Sequence, residues 1–295
     1  MQGSFGDVVT AMITPFEADG GLDLDGAARL ATHLLDNGND ALVVSGTTGE
    51  SPTLGHGEKL DLFRVTVEAA AGRGKVVAGT SSYDTAESVR LTEEATAAGV
   101  DGILAVTPYY SRPPQRGLVA HFRAIADATD KPVLLYDIPG RTGCAIETGT
   151  YEALGDHPRI VGVKDATGSA AHVCEVLATC GESFEVYSGD DAMTLPFLAV
   201  GACGVISVAG HVAATQIGDM IHAFAAGDVA GARKRHMELL PLFRILFADA
   251  SPIPVKAAVA MAGLPAGPVR PPLAPIEAAL AERLRAVLGP YLGDA

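Results

Sequence analysis

Eight short apolar runs recur along this chain of 295 residues, and they constrain its fold more than any other feature of the sequence. Each run has the length of a strand, and most carry apolar residues on consecutive positions, as strands buried on both faces do. The runs are 8-VVTAMITPF-16, 41-ALVVSGTT-48, 75-KVVAGTS-81, 102-GILAVTPYY-110, 132-PVLLYDIP-139, 160-IVGVKDAT-167, 184-FEVYSGD-190 and 204-GVISVAG-210. They predict eight largely buried strands.

Segments with helical periodicity separate these runs. In 24-LDGAARLATHLL-35 the apolar residues recur at spacings of three and four, which indicates an amphipathic helix. About eight repeats of strand and helix predict a closed parallel barrel, the (β/α)8 or TIM barrel. An open doubly wound sheet is the alternative, but it would want a glycine-rich first turn, and no GxGxxG follows 14-TPF-16.

The strand-like runs stop after about residue 212, and helical patterns follow. These lie in 215-TQIGDMIHAFAAG-227, 229-VAGARKRHMELLPLFRILF-247, 253-IPVKAAVAMAG-263 and 274-APIEAALAERLRAVLG-289. The first of these helices is expected to close the barrel. The sequence therefore predicts a barrel domain over residues 1–225 and a C-terminal helical domain over residues 226–295.

The composition argues against several classes of protein. The formal net charge of −14 and the lack of a basic run exclude an ordinary nucleic-acid binder. No apolar run approaches the length of about 18 residues that a transmembrane helix needs, so no membrane partner is expected and the cytoplasm is the expected compartment. The chain has no HExxH motif and no cysteine quartet, so no metal site is predicted. Asp190 and Asp191 form an acidic pair that is expected to cap a loop.

Lys164 is the residue that points to a particular chemistry. In a parallel barrel the C-terminal ends of the strands form one mouth, where active sites lie. Lys164 stands at such an end, whereas the other lysines precede strands or lie in helical stretches, namely Lys59, Lys75, Lys131, Lys234 and Lys256. A lysine partly removed from water has a lowered pKa and can act as a nucleophile. The alternative is a lysine that pairs with a barrel carboxylate for stability.

Hydroxyl groups collect at the neighbouring strand ends. A lysine that forms a Schiff base needs a proton donor, because its carbinolamine must lose water, and Tyr136 is the best candidate. The other hydroxyls at these ends belong to Thr47, Thr48, Tyr109 and Tyr110. One tyrosine alone would more simply be a packed ring, but five hydroxyls beside one lysine favour chemistry.

Two features are suited to binding carboxylates. The segment 46-GTTGES-51 lacks the lysine of a P-loop, but its backbone amides, flanked by glycines, could hold a small carboxylate. Arg141, one loop beyond Tyr136, could bind a second carboxylate through two parallel hydrogen bonds. A surface ion pair is an equally good interpretation of Arg141.

Five motifs together resemble the dihydrodipicolinate synthase / N-acetylneuraminate lyase family of pyruvate-dependent class I aldolases. They are 46-GTTGES-51, 107-TPYYSRPPQRGL-118, 136-YDIPGRTG-143, 163-VKDATG-168 and 188-SGDD-191. The resemblance covers essentially the whole chain, including 252-PIPVKAAV-259 in the helical tail. It implies a barrel enzyme that uses no cofactor and instead forms a covalent imine between pyruvate and lysine. It also implies a tetramer built as a dimer of tight dimers.

The same resemblance implies roles for single residues. Lys164 would form the Schiff base with pyruvate, and Tyr136 would move protons to and from it. Thr47 would link Tyr136 to Tyr110, which would come from the neighbouring subunit. Thr48 would help to hold the pyruvate carboxylate.

Three further positions complete the implied pocket. Arg141 would receive the carboxylate of the second substrate, and backbone groups at Gly189 and Ile206 would line the site. Asp137 departs from the family's pattern, because many members have asparagine there. Its expected effect is a change of local charge that does not touch the chemistry.

The branch of the family with GTTGE and this arginine condenses pyruvate with L-aspartate 4-semialdehyde. The product would be 4-hydroxy-tetrahydrodipicolinate, on the route to lysine and diaminopimelate, and this reaction is the one expected here. An aldolase or lyase acting on a 2-keto-3-deoxy sugar acid or on sialic acid is the alternative within the same chemistry. A barrel that binds a small acid without catalysis is the alternative of another class.

Some members of the family bind free lysine at a feedback site in the dimer interface. Four residues match that site, namely Ser51, His56, Glu87 and Tyr109. Lys59 stands where lysine-sensitive members have histidine, and Tyr83 stands where they have asparagine. A cation at Lys59 would repel the ammonium groups of the ligand, and Tyr83 adds bulk. Weak or absent inhibition by lysine is therefore predicted.

Overall fold

The computed structural model describes residues 3–292, and its centre is a closed barrel of eight parallel strands in sequence order. The strands are β1 (Val8–Ala11), β2 (Ala41–Val44), β3 (Lys75–Gly79), β4 (Gly102–Val106), β5 (Val133–Asp137), β6 (Ile160–Asp165), β7 (Glu185–Ser188) and β8 (Gly204–Ser207). Strand β1 closes the barrel because Val9 pairs with Ala41 on one side and with Ile206 on the other. The predicted (β/α)8 barrel is therefore confirmed.

Twelve α-helices surround or follow the strands within the described residues. They are α1 (Leu24–Asp36), α2 (His56–Ala70), α3 (Thr85–Ala97), α4 (Gln115–Asp127), α5 (Pro139–Thr142), α6 (Thr148–Leu154), α7 (Ala170–Cys180), α8 (Thr194–Leu198), α9 (Gly210–Ala225), α10 (Val229–Ile245), α11 (Ile253–Met261) and α12 (Ala278–Leu288). Helix α1 shows why the predicted pattern folds this way. The Asp23 side chain caps its first turn, and Leu30 and Leu34 bury its apolar face. No helix among residues 3–292 is long and apolar enough to cross a membrane.

Side chains along each strand alternate between the barrel interior and its outer face. On β5, Leu134 and Tyr136 belong to the interior cluster, whereas Val133 and Leu135 join the cluster beneath the helices. Both faces are covered, which is why the strands carry apolar residues on consecutive positions. The same alternation directs Tyr136 into the barrel and the next residue, Asp137, out of it.

The C-terminal helices pack into the same hydrophobic core as the barrel. Leu242 of α10, Val255 of α11 and Leu284 of α12 belong to one buried cluster with Val8 and Leu30. The boundary predicted between residues 225 and 226 falls between α9 and α10. The division of the chain into two domains stays a prediction, and the barrel and the helical tail share one hydrophobic cluster.

Two helix boundaries differ from the sequence prediction. Helix α9 begins at Gly210 rather than at residue 215, but its backbone leaves helical geometry at Ala213, so a first short turn precedes the regular helix. Helix α12 begins at Ala278 rather than at residue 274, because Glu277 is extended and acts as the helix cap. Neither difference moves a residue of the barrel mouth.

Candidate active site

Lys164 and Tyr136 lie side by side at the C-terminal ends of β6 and β5. The two residues are register partners in the sheet. Lys164 Nζ lies 4.2 Å from the centroid of the Tyr136 ring. Their relative exposures are only 6% and 5%, so both are shielded from water. The structure therefore brings together the two residues that the sequence predicted as nucleophile and proton donor.

Burial lowers the pKa of Lys164 to about 8, because the ammonium form is poorly solvated there. The charge of Asp191 opposes this shift, and that of Arg141 adds to it. Among residues 3–292 no carboxylate forms an ion pair with Lys164. The stabilising ion pair that was the alternative interpretation is thus not seen, and about a tenth of the lysine is free amine at pH 7.

Tyr136 is held in its protonated form. Burial raises the pKa of its hydroxyl to about 12, although the positive charge of Arg141 and the nearby Thr47 side chain both act to lower it. A neutral hydroxyl that is hydrogen-bonded to a second hydroxyl can pass a proton without holding a charge for long. Thr47 and Tyr136 both line the cavity at the barrel mouth, and the link between their hydroxyls stays a prediction.

A cavity of about 220 Å³ opens at the barrel mouth beside Tyr136. Its polar lining includes Ser45, Thr47, Ser51, Ser81, Tyr109, Tyr136 and Arg141. Lys164 does not line this cavity itself, and it lies against the ring of Tyr136, which does. Larger surface cavities of about 580 and 600 Å³ lie elsewhere, the first around Lys75 at the opposite end of the barrel. The small cavity at the mouth is therefore the candidate substrate site.

Arg141 stands on the single helical turn α5, where the sequence had predicted a loop. Pro139 begins this turn and Gly143 ends it in a left-handed conformation, with φ of 71°. The Arg141 side chain is exposed and lines the cavity, and no carboxylate among residues 3–292 forms an ion pair with it. An unpaired guanidinium at the mouth favours the carboxylate-binding interpretation over the surface ion pair.

Four other predicted site residues do not line the cavity in this single chain. Tyr110 is 94% exposed, and its positive φ of 69° is unusual for a residue with a side chain. Thr48 is buried, and Ile206 lies in the barrel interior on β8. Gly189 donates its backbone N–H to the Asp165 carbonyl at 2.6 Å. An exposed Tyr110 agrees with a role in a neighbouring subunit, which stays a prediction.

The acidic pair at the end of β7 has the capping role expected from the sequence. Asp191 accepts hydrogen bonds from the backbone N–H groups of Val208 and Ala209, both at 3.0 Å, and from the hydroxyl of Ser207. Asp190 accepts one from the backbone N–H of Ala192 at 2.9 Å. No cluster of three or more His, Cys, Asp or Glu side chains within residues 3–292 is arranged to hold a metal ion.

The loop 46–51 is tied to the C-terminal helices by a buried ion pair that the sequence reasoning missed. Glu50 adopts a left-handed conformation, with φ of 55°, and its carboxylate accepts from Lys256 Nζ at 2.7 Å and from the Arg270 backbone N–H at 2.8 Å. Lys256 and Glu50 are each almost completely buried. The sequence had assigned Lys256 to a helix away from the mouth, but α11 turns its side chain onto the mouth loop.

Arg270 extends this ion pair into a network. Its guanidinium donates to both carboxylate oxygens of Glu58, at 2.8 and 2.6 Å, and to the Thr53 carbonyl at 2.9 Å. Lys256 Nζ and Arg270 Cζ lie 4.0 and 4.2 Å from the centroid of the Phe16 ring. Cation–π contacts of this kind are strong where water is excluded. The network therefore fixes the loop that carries Thr47.

Lys256→Met should lower the free energy of unfolding by about 3–5 kcal/mol, because it leaves the Glu50 carboxylate buried without a partner. Chemical denaturation measures the loss. Lys234→Met is the matched control: Lys234 is exposed and only 4.0 Å from Glu238, so its removal should cost less than about 0.5 kcal/mol. Equal stabilities of the two variants would contradict the role given to the buried pair.

The six residues of the predicted feedback site lie in and beside the mouth. Ser51 and Tyr109 line the cavity, and the rings of Tyr109 and Tyr83 pack edge to face at 5.3 Å. His56 hydrogen-bonds Glu87 at 2.9 Å. Burial lowers the pKa of the half-buried Lys59, while the charge of Glu87 opposes the shift.

Comparisons with known proteins agree over nearly the whole chain. A profile of the dihydrodipicolinate synthetase family matches residues 4–289. A 4-hydroxy-tetrahydrodipicolinate synthase of Acidothermus cellulolyticus is 56% identical over 281 residues, which cover 95% of this chain and 91% of that protein. A dihydrodipicolinate synthase structure from Bacillus anthracis has a TM-score of 0.94 at 44% identity and covers 98% of both chains. A structure of the Cyanidioschyzon merolae enzyme with lysine bound has a TM-score of 0.94 at 44% identity, covering 96% of this chain and 97% of that one. This chain therefore belongs to the dihydrodipicolinate synthetase family.

Proposed function

We propose that the protein condenses pyruvate with L-aspartate 4-semialdehyde to form 4-hydroxy-tetrahydrodipicolinate. The observation that carries this proposal is the buried Lys164, with its pKa lowered to about 8, in contact with a protonated Tyr136. The relative from Acidothermus cellulolyticus, which shares 56% of its residues, carries the name of this synthase. The unpaired Arg141 at the mouth supports an acceptor with a carboxylate.

The reaction begins with the free amine of Lys164. It attacks the keto carbon of pyruvate, and the carbinolamine loses one water with a proton supplied through Tyr136, which gives an imine. Loss of a methyl proton then turns the imine into an enamine. The enamine carbon attacks the aldehyde carbon of the second substrate, whose oxygen takes up a proton and becomes the 4-hydroxyl.

Ring closure releases the enzyme. The amino group of the former aspartate semialdehyde attacks the imine carbon and displaces the Lys164 amine, so a cyclic imine leaves and the lysine is restored. Only one water is lost overall, and no electrons are gained or lost. Thr47 would return protons to Tyr136 at the cavity that both residues line, and no cofactor is needed in this scheme.

Arg141→Leu should raise the KM for aspartate semialdehyde by about 10- to 100-fold, the usual cost of losing a hydrogen bond to a charged group. Trapping of the pyruvate imine should change much less, because pyruvate reacts before the acceptor enters. Initial rates at varied acceptor concentration measure the first effect. An unchanged KM would remove Arg141 from the acceptor site.

A coupled assay with both aldehydes distinguishes the competing reactions. We expect turnover with aspartate semialdehyde and little cleavage of a 2-keto-3-deoxy sugar acid or of sialic acid. The reverse preference would contradict the proposed acceptor. Absence of any adduct with pyruvate would instead favour the non-catalytic barrel.

Free lysine at millimolar concentration should leave the initial rate nearly unchanged. A cation at Lys59 would repel the ammonium groups of the ligand, and Tyr83, whose ring packs against Tyr109, would add bulk. The double variant Lys59→His, Tyr83→Asn removes both obstacles and should become more sensitive. Inhibition of the unmodified protein at sub-millimolar lysine would contradict this prediction.

The assembly and the cellular location stay predictions. A tetramer of tight dimers would let Tyr110 of one subunit reach the Thr47–Tyr136 link of its neighbour, which suits its 94% exposure here. The cytoplasm is the compartment expected for an enzyme of amino-acid biosynthesis. Light scattering of the active protein tests the assembly, and an active monomer would exclude the role proposed for Tyr110.

A further inference from the structure

Three buried polar atoms without hydrogen-bond partners belong to neighbouring residues of β5, β6 and α7, outside the barrel wall and behind Lys164 and Tyr136. They are Oδ1 of Asp137, Oδ2 of Asp165 and Nε2 of His172. Both carboxyl groups are fully buried, and His172 Nε2 lies 3.6 Å from Asp165 Oδ2 and 3.8 Å from Asp137 Oδ2. Buried polar groups are nearly always paired, so three unpaired atoms in one place need an explanation.

The strand register explains why the two carboxyls face each other. Asp137 and Asp165 are register partners, each one residue beyond Tyr136 and Lys164. Alternation along the strands places the acids on the outer face, with the nucleophile and the proton donor on the inner face. Two ionised carboxylates buried at paired positions of neighbouring strands would repel each other and push apart the strand ends that hold the active residues.

Each carboxyl group has one oxygen that accepts hydrogen bonds and one oxygen without a hydrogen-bond partner. Asp165 Oδ1 accepts from the backbone N–H and the hydroxyl of Thr167, at 2.8 and 2.7 Å. Asp137 Oδ2 accepts from the Ile146 backbone N–H at 3.2 Å and from the Tyr151 hydroxyl at 3.4 Å. One proton placed between the two carboxyls would give the free oxygens the donor that they lack.

The surroundings favour such a proton. The titratable groups that act on the cluster from the packed elements are Cys144, Tyr151 and His172, and Cys180 in turn acts on Tyr151. Within residues 3–292 neither carboxylate forms an ion pair with lysine or arginine. Burial raises the pKa of Asp137 to about 7, and the negative charge of Asp165 adds to the shift. The proton is therefore retained up to about neutral pH.

We propose that Asp137 is a positioning residue for the reaction: it shares one proton with Asp165 beside His172, and this hydrogen bond fixes the separation of the β5 and β6 ends. The bond thereby holds Tyr136 against Lys164 from behind the barrel wall. This inference rests on the proposed function, because it concerns the same nucleophile and proton donor.

Two substitutions at Asp137 test the shared proton. Asparagine can donate the same hydrogen bond through its amide. In Asp137→Asn, kcat and the rate at which the borohydride-trapped pyruvate adduct forms should therefore stay within about threefold of the unmodified protein. Asp137→Ala cannot donate, and it should lower both rates by about tenfold or more with a smaller change in the KM for pyruvate. Equal rates in all three proteins would overturn the positioning role. An unmodified protein that forms no adduct would overturn the proposed function instead.

The pH dependence of the free energy of unfolding detects this proton without depending on catalysis. The folded protein keeps the Asp137 proton to about pH 7, whereas an unfolded chain releases it near pH 4, so this group's contribution to stability is lost as pH rises through that window. As pH rises from about 4 to about 7, the free energy of unfolding of Asp137→Asn should therefore increase relative to that of the unmodified protein. Asp61→Asn, at an exposed residue, is the control for the chemical change itself. A constant difference for Asp137→Asn would overturn the proposal.

Discussion

Lys164→Ala should abolish turnover, with a loss on the order of 10⁴-fold or more, because removal of a nucleophile eliminates the covalent route altogether. Lys256, the second buried lysine, is engaged by Glu50 at 2.7 Å and lies beneath the mouth loop. The measurement is kcat at saturating pyruvate and aspartate semialdehyde.

The control for this substitution is Lys131→Ala. Lys131 precedes β5 at the opposite end of the barrel and lies 3.9 Å from Asp130 in a weak surface pair, so its loss should leave kcat unchanged. Thermal unfolding of both variants shows whether the fold is intact. Residual activity of Lys164→Ala above about one per cent would point to a nucleophile elsewhere.

The pH dependence follows from the same lysine. Only the unprotonated amine attacks pyruvate, and the pKa of Lys164 is about 8. The value of kcat/KM for pyruvate should therefore fall about tenfold per pH unit below that pKa and become level above it. At saturating pyruvate the lysine is already an imine, so kcat should not show this decrease at low pH.

Tyr136→Phe should lower kcat on the order of 10²- to 10⁴-fold, which is the usual worth of a positioned acid or base. The ring that contacts Lys164 Nζ at 4.2 Å is retained, so the loss reports the hydroxyl alone. Imine formation should slow as well, because the carbinolamine must still lose water. Single-turnover trapping of the pyruvate adduct separates this step from the later condensation.

Tyr187→Phe is the matched control for the tyrosine. Tyr187 also lies in the barrel interior, on β7, but its hydroxyl accepts from the Phe5 backbone N–H at 2.9 Å, away from the mouth. Its loss should reduce stability without a large change in kcat. Similar kinetic losses in the two variants would mean that Tyr136 acts through packing rather than through proton transfer.

The sequence predicted best those features that the residues of a single short segment indicate by themselves. The strands were visible because their residues are apolar on both faces, and Lys164 was visible because it interrupts one of these runs. Tyr136 followed from its place at the end of the preceding run. The register that pairs the two residues is a tertiary feature, and only the structure supplies it.

The features that were missed depend on contacts between distant segments. Nothing near Lys256 or Arg270 in the sequence indicates that both reach Glu50, more than 200 positions away. Asp137 was expected only to change the local charge without touching the chemistry, and its partner Asp165 was not considered, because the two are paired across β5 and β6. Burial, which shifts the pKa of Asp137, likewise cannot be judged from a single segment.

The most direct test of the account is the mass of the intact protein after borohydride reduction in the presence of pyruvate. We predict one reduced pyruvate adduct per chain, located on Lys164 by peptide mapping and absent from Lys164→Ala. An unchanged mass, or an adduct that persists in Lys164→Ala, would contradict the claim that this lysine forms the imine.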